Sequence, residues 1–302
     1  MLYPIRLTLQ LRLARAAFPQ QIRESSTQVK APLRVLQHPA PHSGHIRVLL
    51  LNRPETRNAL SRQLVSELAK QIDTINAEGG VGATRTLIIA SEIDQAFCSG
   101  ADLKERKTFN QDETKAFLTQ LRQAFKDLSN LPIPTISAIS SLAFGGGLEL
   151  SLCTSLRVFG SSAVVSQPET RLAIIPGAGG TYRLPGLIGV NRARDMILTG
   201  RRVSGPEAYF MGLCDRLVEI TPEEEKQEGA ARSKVLQISL DLARDLCEGG
   251  PIALAQAIKA VKGWQKGEEA ENEAYDVVLK SEDRLEALKA FAEKRKPAFK
   301  GR

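Results

Sequence analysis

Thr135-Ile136-Ser137-Ala138-Ile139, a run of strand character, leads shortly into Phe144-Gly145-Gly146-Gly147-Leu148-Glu149-Leu150. A strand followed by three glycines and an apolar stretch predicts a strand-to-helix turn, with Glu149 carried in the first turn of the helix. A second carboxylate, Glu169, lies in Gln167-Pro168-Glu169-Thr170, just before Ile174-Ile175-Pro176-Gly177-Ala178-Gly179-Gly180. Both glutamates sit in apolar stretches, where burying a carboxylate is unfavourable without partners. Both also lie near glycine clusters that can expose backbone N–H groups. Two carboxylates can hold and polarise a water molecule, and free N–H groups can stabilise an oxyanion. The pattern points to acid/base chemistry on a carbonyl compound.

Upstream, Ile46–Asn52 and Thr86–Ala90 read as strands. Ser61–Asn76 reads as a helix, with Leu64, Leu68, Ile72 and Ile75 at helical spacing, and Gln111–Asn130 as another. Short strands are expected at Leu156–Phe159 and Val164–Val165. Beyond Gly180 the segments 190–199, 204–211, 229–247, 251–266 and 268–294 read as helices, with one short strand at Arg216–Val218. The fold class is therefore α/β. Residues 32–228 form the core, and 229–302 a helical C-terminal subdomain.

The 302 residues are 42% hydrophobic, enough for a large core. No apolar run approaches the roughly 20 residues of a membrane span. The formal charge is +7, but residues 1–30 hold Arg6, Arg12, Arg15, Arg23 and Lys30 against Glu24 alone. The remainder carries little excess charge, too little to argue for a nucleic-acid partner. Residues 1–30, arginine-bearing, acid-poor and ending in Ser25-Ser26-Thr27, have the composition of a mitochondrial transit peptide, which predicts a matrix location. The four scattered cysteines, without a C-x-x-C pair, are expected to be reduced and mostly buried.

Histidine occurs only at His38, His42 and His45, in one Pro/Gly-rich segment expected to be a solvated loop. That argues against Ser-His-Asp or Cys-His catalysis and against a histidine metal site. The glycine clusters match neither G-x-G-x-x-G nor G-x-x-x-x-G-K-[ST]. No metal and no separate cofactor is expected, and glutamates remain as the acid/base candidates.

Asn52-Arg53-Pro54, Phe97-Cys98-Ser99-Gly100-Ala101-Asp102-Leu103-Lys104-Glu105, Gly145–Leu150 and Glu169–Thr181, in this order, resemble the enoyl-CoA hydratase/isomerase (crotonase) superfamily. The resemblance spans about residues 33–302. It implies a crotonase-like ββα superhelix (spiral) core with a C-terminal helical trimerisation subdomain, assembled as a homo-trimer or homo-hexamer. It also implies an acyl-CoA thioester substrate, with coenzyme A arriving as part of it. The implied oxyanion hole is the N–H groups of Ala101 and Gly146. Glu149 would activate the water that attacks C3, and Glu169 would supply the proton to C2. Gly177 would help fix substrate and water, Ala101, Asp102, Leu103 and Lys104 would lie along the coenzyme A, and Lys294 would reach a phosphate in a neighbouring subunit. Read from the residues alone, Asp102 is a helix cap, while Lys104 stays open between an ordinary exposed lysine and a coenzyme A contact.

Both glutamate positions being filled favours a hydratase over an isomerase, since moving a double bond needs only one base to shuttle a proton. The fullest resemblance is to the methylglutaconyl-CoA hydratases, through Ala101–Arg106, Gly147–Leu150, Leu172–Pro176 and Asp283–Arg295. It implies conversion of 3-methylglutaconyl-CoA to 3-hydroxy-3-methylglutaryl-CoA in leucine breakdown. Ser155 and Tyr182 depart from the usual Asp and Gln. Residues 61–78 hold only Arg62 and Lys70 as cations, against Glu67, Asp73 and Glu78, so RNA binding is not expected.

Overall fold

The computed structural model describes residues 31–302, so the expected targeting segment lies outside the described residues. The first strands are β1 (Leu33–Pro39) and β2 (His45–Leu51), followed by helix α1 (Arg62–Ala77), β3 (Thr84–Ser91) and β4 (Ala96–Cys98). Next come α2 (Leu103–Arg106), α3 (Gln111–Asn130), β5 (Thr135–Ile139), β6 (Leu142–Phe144), α4 (Gly146–Ser151), β7 (Leu156–Gly160) and β8 (Val164–Ser166). The chain continues through α5 (Gly180–Ile188), α6 (Val190–Thr199), β9 (Val203–Ser204), α7 (Gly205–Phe210) and β10 (Arg216–Val218). It ends in α8 (Pro222–Lys226), α9 (Ala230–Cys247), α10 (Pro251–Lys262), α11 (Glu268–Leu279) and α12 (Glu282–Ala292).

A six-stranded sheet runs in the order β1-β2-β3-β5-β7-β10. Only the β1–β2 pair is antiparallel; the other neighbours are parallel. Its central strands are apolar on both faces because both faces are covered. Leu49, Leu51, Leu87, Ile89, Ile139 and Phe159 enter the main core with α1 and α3. The alternate residues Ile46, Val48, Leu50, Ile88, Ile136 and Val158 pack against Val235, Leu240 and Ala243 of α9. A second sheet, β4-β6-β8-β9, stacks the short strands whose ends carry the glycines and Glu169.

Local signals explain the helix boundaries. Ser61 caps α1 by accepting from the Leu64 N–H. Asn110 and Glu113 form a reciprocal capping box at α3. The tail differs from expectation. The segment 268–294 is two helices, broken where Ser281 accepts from the Arg284 N–H and restarts the chain as α12. The segment 251–266 ends its α-helix at Lys262 and closes with a 3-10 turn between Gly263 and Gly267. Past Gly180 there is a second short strand, β9, and the unexpected helix α5, which carries Pro185 inside it. The strand β1 was also not expected, its outer residues being largely exposed.

The histidine segment is likewise not a simple loop. His38 and His45 lie on β1 and β2, whose antiparallel register pairs His38 with Ile46 and Pro39 with His45. Only His42 occupies the turn, against Phe299 and 3.3 Å from Glu248. Among the described residues no group of His, Cys, Asp and Glu could hold a metal ion. No described helix is long and apolar enough to cross a membrane.

One polar residue ties the segment after β2 to β3 and β4. Fully buried Asn58, at φ 58°, donates to Ser91 Oγ and to the carbonyls of Ala96 and Phe97 at 2.9–3.2 Å. Its own Oδ1 accepts from the Arg53 N–H at 2.7 Å. The Leu60 N–H reaches Gly100 O at 2.7 Å, and Arg53 pairs with Asp102 at 3.1 Å. Residues 53–60 are thereby stitched to 96–102. Asn58→Ala is expected to lower the unfolding free energy by about 3 kcal/mol, because it strands buried carbonyls and replaces asparagine, which tolerates positive φ, with alanine, which tolerates it poorly. Urea denaturation measures this, and Asn58→Gly should recover only the backbone strain of roughly 1 kcal/mol.

Candidate active site

Between α2, α3 and the glycine turns lies a cleft of about 490 Å³. Its walls include Leu60, Leu103, Leu118, Leu121 and Ile175, and its floor holds Gly145, Gly146, Glu149 and Glu169. Gly145 adopts φ 50°, ψ −121°, a conformation that favours glycine, and so turns the chain from β6 into α4. The first N–H of that helix, on Gly146, meets no acceptor among the described residues. Neither does the N–H of Ala101, although Leu60 bridges to that residue in parallel fashion. Both residues line the cleft, as an oxyanion hole requires.

The two carboxylates are held differently. Glu149 Oε1 accepts from the N–H groups of Ala178 and Gly180 at 2.7 and 2.8 Å. Burial pushes its pKa up, while these two donors and the charges of Arg183 and Arg106 pull the other way. Burial pushes the Glu169 pKa up to about 7; its own N–H opposes the rise and the Glu149 charge adds to it. Buried Gln167, turned with its NH2 toward Glu169, donates to both carboxylate oxygens at 3.0 Å. Turned over, the same amide presents an oxygen to the protonated acid. The two glutamates interact and titrate as a pair. Glu149, fixed by donors, suits the ionised role; Glu169, which holds a proton near neutrality, suits the acid role.

Most of the residues singled out from the sequence converge here. Glu149, Glu169, Ala101, Gly146, Leu103 and Gly177 all line the cleft. Asp102 does not; it caps α2 by accepting from the Glu105 N–H and pairs with Arg53. Lys104 is exposed outside the lining, and Lys294 is exposed just past α12. The backbone groups that grip Glu149 belong to Ala178 and Gly180, while the Gly177 carbonyl accepts from Arg122 at 2.6 Å. Gln167 and Asn58 went unremarked in the sequence.

Ser155 keeps a structural bond, its Oγ accepting from the Thr135 N–H at 3.3 Å. Tyr182 is exposed beneath the Arg183 guanidinium. All four cysteines are free and buried, and burial raises Cys98 and Cys153 to about 12, so neither is an activated thiol.

A superhelix of paired sheets whose turns carry two glutamates and two unpaired N–H groups defines a class of acyl-thioester enzyme. Residues 42–302 match the family Enoyl-CoA hydratase/isomerase, and the chain belongs to it. It is 58% identical to an enoyl-CoA isomerase/hydratase of Zymoseptoria tritici, over 92% of this chain and 91% of that one. It is 52% identical to methylglutaconyl-CoA hydratase 1, mitochondrial, of Pyricularia oryzae, over 92% of this chain and 89% of the relative. The crystal structure of an enoyl-CoA hydratase from Bacillus anthracis superposes with a TM-score of 0.80 at 38% identity, covering 90% of this chain and all of that one.

Proposed function

We propose that the protein adds water across the 2,3 double bond of an enoyl-CoA thioester, with 3-methylglutaconyl-CoA as substrate and 3-hydroxy-3-methylglutaryl-CoA as product. The observation that carries this is the unequal pair of carboxyls beside two free N–H groups in one cleft. The thioester oxygen sits between the N–H groups of Ala101 and Gly146. Ionised Glu149 takes a proton from water as the water oxygen bonds to C3. The C2=C3 electron pair moves toward C2 and the thioester oxygen, and protonated Glu169 delivers its proton to C2. Glu149 ends protonated and Glu169 ionised, and exchange with solvent restores them. Leu103 and Gly177 flank the substrate, exposed Lys104 lies along the coenzyme A, and buried Asp102 fixes the start of α2.

The site of action is the mitochondrial matrix, in line with the mitochondrial designation of the Pyricularia relative and the composition of residues 1–30. The working form is a homo-trimer or hexamer. Its support is an array of bare apolar side chains on the C-terminal region, including Val261, Trp264, Leu285, Leu288 and Phe291, the last 86% exposed. Lys294, one turn beyond, would meet coenzyme A in the neighbouring subunit.

The purified protein should consume the conjugated thioester absorbance of methylglutaconyl-CoA, and the product should gain the mass of one water. A product of unchanged mass would make the enzyme an isomerase instead. The pH profile is a further expected result. Hydration needs Glu169 protonated, a state present below pH 7 and lost as pH rises through it. It also needs Glu149 ionised, which fails on the acid side. A bell-shaped kcat/KM with its alkaline limb near pH 7 is expected. Glu169→Gln should abolish that limb in the residual activity.

A further inference from the structure

Arg106 is one of two arginines of the cleft that the reaction itself does not use. It stands at the end of α2 on the same lining as Glu149, among Leu103, Leu118 and Leu121. Its guanidinium lies 4.8 Å over the ring of buried Phe117. Its Nε is buried without a hydrogen-bond partner, and none of its side-chain N–H groups meets an acceptor among the described residues. The cleft's other arginine, Arg122, is already committed through its Nε to the Gly177 carbonyl. The charges of Glu149 and Glu105 act on this half-buried guanidinium, but neither pairs with it directly, so its planar fork is left open to a carboxylate.

The position says which anion. With the thioester oxygen at Ala101 and Gly146, C2 and C3 fall at the two glutamates, and Arg106 lies on the lining beside Glu149. We propose that Arg106 binds the terminal carboxylate of a dicarboxylic acyl chain and so selects such substrates over plain alkenoyl thioesters. This rests on the hydratase reading for the placement of the chain. The charge of Arg106 also favours ionised Glu149 whatever the acyl group. The diagnostic quantity is therefore a ratio between two ligands, in which that common effect cancels.

Calorimetry would compare glutaryl-CoA with pentanoyl-CoA, saturated chains of equal carbon number with and without the carboxylate. Relative to the wild type, Arg106→Gln should lower the glutaryl/pentanoyl affinity ratio by about 10- to 100-fold, the scale of a charge-assisted hydrogen bond. Arg106→Lys should recover part of it, having the charge without the fork. The kcat/KM ratio between methylglutaconyl-CoA and crotonyl-CoA should fall with it. If both ligands weaken equally, Arg106 serves a coenzyme A phosphate or the fold, and the proposal is overturned. An unchanged ratio overturns it too. If the wild type hydrates neither thioester, the hydratase reading fails on its own, and the binding ratio still decides the role of Arg106.

Discussion

Glu149→Gln is expected to reduce turnover by about 10³- to 10⁴-fold with little change in KM, and Glu169→Gln by about 10²- to 10⁴-fold. Glutamine keeps the shape of each side chain but cannot take a proton from water or deliver one to carbon. At position 149 it still presents an oxygen to the Ala178 and Gly180 N–H groups, so the loop stays in place and the loss reports chemistry. Because the two carboxyls serve one addition, the double variant should be scarcely slower than the worse single one. A single-base isomerase would behave differently: one variant would lose its activity and the other keep it. Steady-state kinetics on one enoyl thioester separates the two cases, and wild-type turnover in both variants would sink the two-glutamate mechanism.

Glu169→Gln lowers activity but should raise stability, which guards against mistaking misfolding for lost catalysis. In the fold Glu169 holds its proton to about pH 7, whereas the unfolded chain ionises near the ordinary carboxylate value. Between those values rising pH favours the unfolded state, so the Glu169 carboxyl destabilises the protein at and above pH 7. Glu169→Gln removes that burden and should be more stable than the wild type above pH 7, by about 2 kcal/mol. Below pH 4.5 the difference should vanish. An active site that stores instability in its acid has this signature.

What could be foreseen divides along a physical line. Periodicity placed α1, α3, β2, β3, β5 and β7 nearly to the residue, because each buries a regular apolar pattern. Glu149 and Glu169 were legible as carboxylates in apolar company, and the resemblance of the surrounding motifs gave them roles. The strands β4 and β6, three residues each, are too short for any period and exist through parallel pairing with each other and with β8. Asn58 and Gln167 carry no local signal at all; the partners of Asn58 at residues 91–97 lie more than thirty positions away. Arg106 was visible only as one letter of a resembling stretch, and its want of a partner is a property of three dimensions. Ser281 was legible, as Ser-Glu-Asp is a helix start, but the apolar spacing running through it hid the break.

The glycine triplet was foreseen as one feature and resolves into three constraints, which makes Gly147→Ala the most damaging small substitution in the site. A β-carbon on Gly147 would stand 2.8 Å from the carbonyl carbon of Cys98 and closer still to its oxygen. That obstacle is backbone, in the strand that leads to Ala101, and it cannot rotate away. Either α4 or β4 must move, and one carries Gly146 and Glu149 while the other sets the Ala101 N–H. The expected loss is about 3 kcal/mol of stability, at the upper end for overpacking. Turnover should fall by at least 10²-fold, as when an oxyanion donor is displaced.

The neighbouring positions fail differently. On Gly145 the new carbon would face Glu169 Oε1 at 2.9 Å and inherit a φ of 50°, disturbing the acid more than the hole. On Gly146 the nearest atom is the movable Leu60 Cδ1 at 2.9 Å, with backbone no nearer than 3.8 Å, so the fold should tolerate alanine while the mouth of the hole narrows. Gly177→Ala meets Leu118 only at an ordinary 3.6 Å and should fold like the wild type. Thermal unfolding and kcat measured on all four variants would test this ordering. If Gly147→Ala proved as stable and as active as Gly177→Ala, the close seat of α4 on β4 would not be what sets the oxyanion geometry.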